Sequence, residues 1–276
     1  AMNRMSQTAQ WWGHLGVGFL LAAVNLLLYI AWTNRRNYGK AAAAFGAAVV
    51  LLLGMFLQGS RENGFRSYGS VDITLVQHNL SLDKLYGESD STSEQLASLA
   101  PEWGRGSDLV VYPELTVQDP LVTEEGSEPW SAAARAAEAS LIVGSRERER
   151  NGGDECSFNS AVLLGSDGDI GDVRHKIKLV PFAEKTPYRQ YLNFLKNIHF
   201  GGSNLCPGDT VSVFSIPQGD LSVLICFEAA FSGLHRRAVE AGAEFLVGIM
   251  NNSWWGRSSV TWQHMYLIPF RSVENR

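Results

Sequence analysis

Acidic residues are missing from the start of this 276-residue chain, in which no Asp or Glu precedes Glu62. A soluble amphipathic helix carries charges on its outer face, so this absence argues against such helices here. An uncharged apolar stretch from Trp11 to about Trp32 is long enough to span a bilayer of about 30 Å. A second apolar stretch, 41–57, follows it. A signal peptide would be shorter and would not be followed by a second span, so we predict a transmembrane hairpin over 1–59.

Positive charge is concentrated between the two apolar stretches. Arg35, Arg36 and Lys40 crowd the short connecting loop, whereas only Arg4 precedes the first span. By the positive-inside rule, the loop is cytoplasmic and everything after about Gly59 is extracytoplasmic. We expect residues 60–70 to be a linker and 71–276 to be a separate domain.

Cysteine is scarce, with Cys156, Cys206 and Cys226 as the complete set. Three residues without close pair spacing allow at most one disulfide and do not form a zinc pattern. We place Cys156 in a polar loop and Cys206 in a turn. The net charge of −5 and the lack of a basic stripe with interleaved aromatics give no reason to expect a nucleic-acid partner. We expect no metal and no cofactor.

The region after the linker alternates strands with helices, which predicts an α/β sandwich. The apolar runs and turn signals indicate the following elements. Strands are expected over Val71–Gln77, Leu109–Tyr112, Leu141–Ser145, Asn159–Leu164 and Phe245–Ile249, and helices over 94–103 (or less, stopped by Pro101), 129–140 and 233–242.

Cys226 follows the apolar run 221–225 and precedes a helix signal that Gly242 closes. A nucleophile on such a strand-to-helix elbow lies where backbone N–H groups and the helix dipole stabilise a thiolate or an oxyanion. A single Cys is more often an ordinary small core residue, and that alternative stays open on this stretch alone.

Two further stretches favour the catalytic interpretation. Glu114 ends an apolar strand just after a proline, and Lys176 and Lys178 lie in a basic segment that runs to Glu184. Taken singly, the first is typical of a solvated turn and the second of a charged edge strand. A free thiol has a pKa of ~8.5, so it needs a base nearby to ionise at neutral pH. Here a carboxylate could take the thiol proton, and an ammonium could stabilise the oxyanion. The three groups together make an acyl-transfer site.

A Glu, a Lys and a Cys in this order, each at the end of an element, resemble the nitrilase superfamily of carbon–nitrogen hydrolases. That resemblance implies a four-layer αββα sandwich, with Glu114 as general base, the Lys stabilising the tetrahedral intermediate and Cys226 as the acylated nucleophile.

Longer motifs resemble the membrane-bound branch of that superfamily, the apolipoprotein N-acyltransferases. The likeness covers essentially the whole chain. Its motifs are Gln7-Thr8-Ala9 with Gly16–Leu20, Val76-Gln77-His78-Asn79, Lys176–Glu184, Ile225-Cys226-Phe227-Glu228, and Asn251–Gly256 followed by Trp262-Gln263-His264.

The resemblance also implies roles for single residues. Counting back from Leu179-Val180-Pro181 places Lys176, and not Lys178, at the catalytic position, a choice that strand parity cannot make. Glu184 and Glu228 match further acidic positions that the family needs. Phe227 stands where Tyr is common, Ala183 replaces a Gly, and Arg174 occupies a position that is usually Tyr.

The implied reaction moves an acyl chain from a phospholipid to Cys226 and then to the N-terminal amine of a diacylglyceryl-Cys apolipoprotein. The expected location is a bacterial inner membrane with the catalytic domain in the periplasm. Trp254 and Trp255 are candidates to contact acyl chains, although such residues are more often core. The alternative is a membrane-tethered amidohydrolase that uses water as acceptor. Relatives continue at both ends, so we expect a fragment without about five N-terminal helices and part of the C-terminal sandwich.

Overall fold

The fold is described from a computed structural model that covers residues 4–61, 69–80, 84, 89–151, 154–186 and 205–275. The described chain forms two compact units, Gly69–His264 and a unit made of Ala1–Tyr68 with Met265–Arg276. Most of the expected linker 60–70 lies outside the described residues.

The two expected apolar helices are present in the unit that contains the N-terminus. A 3-10 turn, Arg4–Thr8, leads into α1 (Ala9–Thr33), and α2 (Tyr38–Arg61) follows. Gly13 has a left-handed φ of 62°, which places a kink inside α1. By length and composition, Arg4–Thr33 and Tyr38–Ser60 are each apolar enough to cross a membrane, with a mean hydropathy of 2.1.

The larger unit contains two sheets. The first has five strands in the order β1 to β5, with β1–β2 and β2–β3 parallel and β3–β4 and β4–β5 antiparallel. The second has three strands, β6 to β8, in which β6–β7 is antiparallel and β7–β8 is parallel. The strands are β1 (Ile73–Leu75), β2 (Leu109–Val111), β3 (Ser140–Asn151), β4 (Asp154–Leu164), β5 (Ile170–His175), β6 (Phe214–Ile216), β7 (Gly219–Ile225) and β8 (Phe245–Ile249).

Helices cover the outer faces of these sheets. They are α3 (Ser89–Ser98), α4 (Ala100–Trp103), α5 (Glu124–Ala137) and α6 (Ser232–Glu240). Helix α7 (Val260–Glu274) is the last helix, and 3-10 turns lie at Cys226–Ala230 and Asn252–Trp255. The first three pack against the five-stranded sheet, and α6 packs on β7. The resulting order is helix, sheet, sheet, helix, which is the expected αββα sandwich.

Alternation along the strands builds the two apolar layers of this sandwich. Leu109 and Val111 of β2 face the second sheet and pack with residues such as Val223, whereas Val110 between them faces the helices. Successive side chains of a strand point to opposite faces of the sheet, so alternate residues enter different apolar layers. Glu114 follows the carboxyl end of β2 in the first sheet, and Cys226 follows the carboxyl end of β7 in the second. The two residues therefore come from two sheets that pack on each other.

Several element boundaries differ from the prediction. Pro101 lies in the first turn of α4, where we expected it to stop a helix, because proline fits the first turn, whose N–H groups have no intrahelical partner. Helix α5 starts at Glu124 because the Thr123 side chain accepts a hydrogen bond from the Gly126 N–H and caps it. Strands β3 and β4 are longer than expected and pair from Leu141–Leu164 to Asn151–Asp154.

The cysteines also correct the prediction. Cys156 lies on β4 and not in a polar loop, and it forms a disulfide with Cys206. Cys226 is left as the free, buried thiol of the described chain.

Candidate active site

Cys226 lies at the elbow that follows β7. Its φ of +52° is left-handed, a conformation that costs energy for a non-glycine residue and turns the chain from the strand into the 3-10 turn. Ile225, one residue earlier, is in the core between the sheets. The strained turn therefore presents the thiol at the edge of the sandwich core, in the place expected for a nucleophile.

Glu114 follows β2 and is almost completely buried, with 3% of its surface exposed. Its Oε1 accepts hydrogen bonds from Lys176 Nζ at 2.9 Å and Asn159 Nδ2 at 2.8 Å, and its Oε2 accepts one from Asn251 N at 3.0 Å. Gly144 on β3 makes this position possible, since a Cβ there would lie 2.2 Å from the Pro113 oxygen and 2.7 Å from Glu114 Cα.

Lys176 comes directly after β5 and is fully buried, with 0% exposure. Its Nζ donates to Glu114 Oε1 at 2.9 Å and to Glu184 Oε1 at 2.8 Å. Lys178 is exposed, and its Nζ lies 5.6 Å from the centre of the Phe231 ring. The two lysines that strand parity cannot separate therefore lie in different environments, because the strand ends at His175 and the chain bends after Lys176.

The two supporting carboxylates bind backbone as well as side chains. Glu184 accepts from Lys176 Nζ and Asn159 Nδ2 with Oε1 and from Val180 N with Oε2 at 2.8 Å. It therefore lines the same cluster as Glu114 and also fixes the turn after Lys176.

Glu228 is buried and has a different set of partners. Its side chain accepts from Arg174 Nη1 at 2.8 Å and from the N–H groups of Ile177 at 2.8 Å, Lys178 at 3.2 Å and Ile225 at 2.9 Å. It therefore ties the segment after Lys176 to the strand that carries Cys226. Phe227, the sixth candidate, is half-buried and packs edge-on against Phe231 at 5.1 Å between ring centres.

The electrostatics of the cluster keep the resting thiol neutral. Burial raises the pKa of Cys226 well above its usual range, and the Glu114 carboxylate within hydrogen-bonding reach raises it further, while Lys176 opposes both. Burial alone would lower the pKa of Lys176, but the Glu114 and Glu184 carboxylates raise it, so the side chain is an ammonium. A neutral thiol beside a carboxylate and a permanent cation requires a base before it can attack.

The model of the carbon–nitrogen hydrolase family matches residues 73–276, which is most of the chain. The chain belongs to the carbon–nitrogen hydrolase family.

Two curated relatives of the chain carry the same name. The chain is 32% identical to an apolipoprotein N-acyltransferase of Geobacter metallireducens, over 98% of this chain and 54% of that protein. It is 24% identical to another of Chlorobaculum tepidum, over 99% of this chain and 57% of that protein. The expected resemblance is confirmed, and the chain spans about half the length of these curated relatives.

Solved structures of carbon–nitrogen hydrolases share the fold. One of Helicobacter pylori superposes with a TM-score of 0.54 at 18% identity, over 74% of this chain and 70% of that chain. A mutant amidase of Nesterenkonia AN1 from the nitrilase superfamily has a TM-score of 0.52 at 20% identity, over 76% of this chain and 74% of that chain. At these identities the likeness confirms the nitrilase-like fold and nothing more.

Trp254 and Trp255 lie in the 3-10 turn after β8. They are 53% and 37% exposed. The alternative that they are core residues is wrong, because neither is buried. Their contact with substrate stays a prediction.

Four residues of the cluster lack a role in the sequence-based prediction. Asn159 is fully buried and donates to both Glu114 and Glu184, and Arg174 is fully buried against Glu228. Asn251 binds Glu114 through its backbone, and His264, whose pKa burial lowers, is 3.1 Å from Asn252 Oδ1 through Nδ1. The sequence offers one signal for Asn159, which is a polar residue at the start of an expected apolar strand. That signal does not identify Glu114 and Glu184 as its hydrogen-bond partners.

Proposed function

We propose that the chain carries the catalytic site of an acyltransferase that moves an acyl chain from a phospholipid to the N-terminal amine of a diacylglyceryl-Cys apolipoprotein. The observation that carries the proposal is the cluster of a buried Cys226 thiol, the Glu114 carboxylate and the Lys176 ammonium. The name shared by the relatives and the two apolar helices, suited to lipid-anchored substrates, support the choice of substrates.

In the first half-reaction, Glu114 takes the proton of the Cys226 thiol as sulfur attacks the ester carbonyl of the phospholipid. The carbonyl oxygen becomes an oxyanion beside Lys176 Nζ, where the ammonium stabilises it. When the ester C–O bond breaks, Glu114 returns the proton to the leaving alkoxide. The products are a thioester on Cys226 and a lysophospholipid.

In the second half-reaction, the acceptor amine attacks the thioester carbonyl and again places negative charge beside Lys176. Glu114 takes a proton from the amine nitrogen and passes it to the sulfur as the C–S bond breaks. The amide product leaves, and the neutral thiol is restored. Because the lysophospholipid leaves and the acyl chain stays on Cys226 before the amine attacks, the kinetics follow a ping-pong scheme.

Glu184 and Glu228 act through other residues in this scheme. Glu184 holds the Lys176 ammonium and the following turn, and Glu228 holds the elbow and the Lys176 segment together. Both are positioning residues and exchange no proton with substrate. Trp254 and Trp255 are exposed and are proposed to contact the acyl chains.

We propose that the catalytic unit is extracytoplasmic. The Arg35, Arg36 and Lys40 cluster between the helices supports a cytoplasmic loop. The Cys156–Cys206 disulfide supports an oxidising compartment on the other side. A cysteine placed in the loop should resist a membrane-impermeant maleimide in intact cells and react after lysis, and labelling from outside would reverse this topology.

Amidohydrolysis is the second candidate, because the solved structures with this fold include an amidase. The acceptor separates the two functions. We expect full-length protein that has been acylated by phosphatidylethanolamine to transfer the chain to a synthetic diacylglyceryl-Cys peptide far faster than to water. The matched control is the same peptide with an acetylated amine, which should not accept the chain. Equal discharge with both peptides would favour the hydrolase.

A further inference from the structure

The Cys156–Cys206 disulfide takes no part in the proposed chemistry, yet it anchors a segment that contacts the site. Cys156 lies on β4 three residues before Asn159, the amide that donates to Glu114 and Glu184. Cys206 lies within residues 205–208, which we call the clip. The two cysteines are 50 residues apart in sequence.

Backbone hydrogen bonds of the clip reach the two residues that bind each other at the centre of the site. Gly208 N donates to the Lys176 oxygen at 2.9 Å, and Leu205 N donates to the Glu184 oxygen at 2.9 Å. Between them, Cys206 N donates to the Ser157 oxygen on β4 at 2.8 Å. The clip therefore bridges β4 and the two ends of the segment from Lys176 to Glu184.

Gly208 shows how closely the clip lies against the lysine segment. A Cβ on Gly208 would be 2.5 Å from the His175 oxygen and 2.8 Å from its Cβ, distances that atoms do not tolerate. The other side of the same backbone is held by β4, because Lys176 N donates to the Asn159 oxygen at 2.7 Å. The peptide units around Lys176 are thus gripped between β4 and the clip.

We propose that the Cys156–Cys206 disulfide is a positioning element of the active site, which holds the clip against the Lys176 and Glu184 backbone and thereby fixes the Lys176 ammonium. Lys176 has a long side chain with several rotatable bonds, so its Nζ stays between two carboxylates only while its backbone stays in place. Bringing two residues 50 positions apart together costs chain entropy, and the cross-link reduces that cost because it holds the two ends together in the unfolded chain as well. This inference rests on the function proposed above and assigns a role to two residues that take no part in the reaction.

The test uses four variants of the full-length protein: Cys156→Ser, Cys206→Ser, the double variant, and Gly208→Ala, which displaces the clip but leaves the disulfide intact. Leu164→Ala is the matched control, since it destabilises the helix-facing core on the same strand without touching the clip. Two quantities are measured well below every melting temperature. They are the rate of Cys226 acylation by phosphatidylethanolamine and the pH dependence of Cys226 alkylation by iodoacetamide, followed at the Cys226 peptide.

We expect each cysteine variant and Gly208→Ala to slow acylation by roughly ten- to a hundredfold, the cost of a small misplacement of a catalytic group. The double variant should be no worse than either single one, because all three lose the same bond. Lys176 lowers the pKa of Cys226, so a displaced lysine should move the alkylation curve to higher pH. Leu164→Ala should leave the curve in place.

Wild-type acylation rates and an unmoved alkylation curve in folded cysteine variants would overturn the proposal and leave the disulfide a stabilising element only. If those variants do not fold, the folded wild type is reduced with a phosphine, which with water turns the disulfide into two thiols and itself into the phosphine oxide. The same two outcomes are then read from that sample. If the wild type is never acylated, the proposed function is wrong. The pH dependence of Cys226 alkylation still tests whether the clip positions Lys176.

Discussion

Two buried carboxylates at this site, Glu114 and Glu228, have different surroundings. Glu114 faces two side-chain donors, one backbone N–H and a neutral thiol. Glu228 accepts three backbone N–H groups and one guanidinium. A carboxylate beside a thiol can exchange a proton with it, whereas one whose lone pairs are all taken by fixed donors holds the backbone. Sequence position alone does not separate the two, since both follow apolar strands.

The largest effect should come from Glu114→Gln. The amide keeps the size of the side chain but cannot take the thiol proton, so we expect Cys226 acylation to fall by about 10²–10⁴-fold with little change in melting temperature. Rapid-quench mass analysis of the acyl-enzyme measures the rate. A variant with normal acylation would remove Glu114 from the chemistry and end the contrast with Glu228.

Lys176→Met should follow, with a loss of about 10²–10³-fold, because the developing oxyanion loses its stabilising cation. Lys178→Met is the matched control. Its ammonium is exposed near the Phe231 ring, so it should change the rate by less than about threefold. Losses of equal size at both positions would contradict the assignment made from burial.

Glu228→Gln should lower the free energy of unfolding more than it lowers the rate of Cys226 acylation. It leaves the fully buried Arg174 guanidinium without its counter-charge, which typically costs about 3–5 kcal/mol. Denaturant unfolding measures this loss. Adding Arg174→Met to Glu228→Gln should recover much of the stability, because no buried charge is then left unpaired. A variant that keeps its stability and loses acylation would make Glu228 a chemical residue like Glu114.

The smallest effect is a shift in pH dependence. Glu114 raises the pKa of Cys226, so Glu114→Gln should lower that pKa and move iodoacetamide alkylation of Cys226 to lower pH. Glu228→Gln should leave the curve nearly unchanged. The sign is informative, because the same Glu114 variant becomes easier to alkylate and harder to acylate. A shift to higher pH would mean that the carboxylate lies away from the thiol.

The sequence was sufficient for features that depend on local pattern. Strand β8 and the two apolar helices follow from runs of apolar residues, and the elbow at Cys226 from a strand followed by a helix signal. It was insufficient where distant segments meet. The pair Arg174–Glu228, the shared amide of Asn159 and the disulfide between Cys156 and Cys206 each depend on which strands become neighbours.

The ends of helices and strands were also predicted poorly from the sequence. We expected Pro101 to stop a helix because proline lacks an N–H, and the same property lets it lie in the first turn of α4. The long β3–β4 hairpin extends through charged residues, where cross-strand pairing stabilises what the apolar pattern does not indicate.

Intact-mass analysis of the full-length protein after incubation with phosphatidylethanolamine alone tests the central claim most directly. We expect a single acyl adduct on Cys226 that neutral hydroxylamine removes, as it removes a thioester, and that Cys226→Ala does not form. Cys156→Ser is not a substitute control, because its thiol partner would be freed. No adduct on a folded wild type, or an adduct that resists hydroxylamine or persists in Cys226→Ala, would contradict the account.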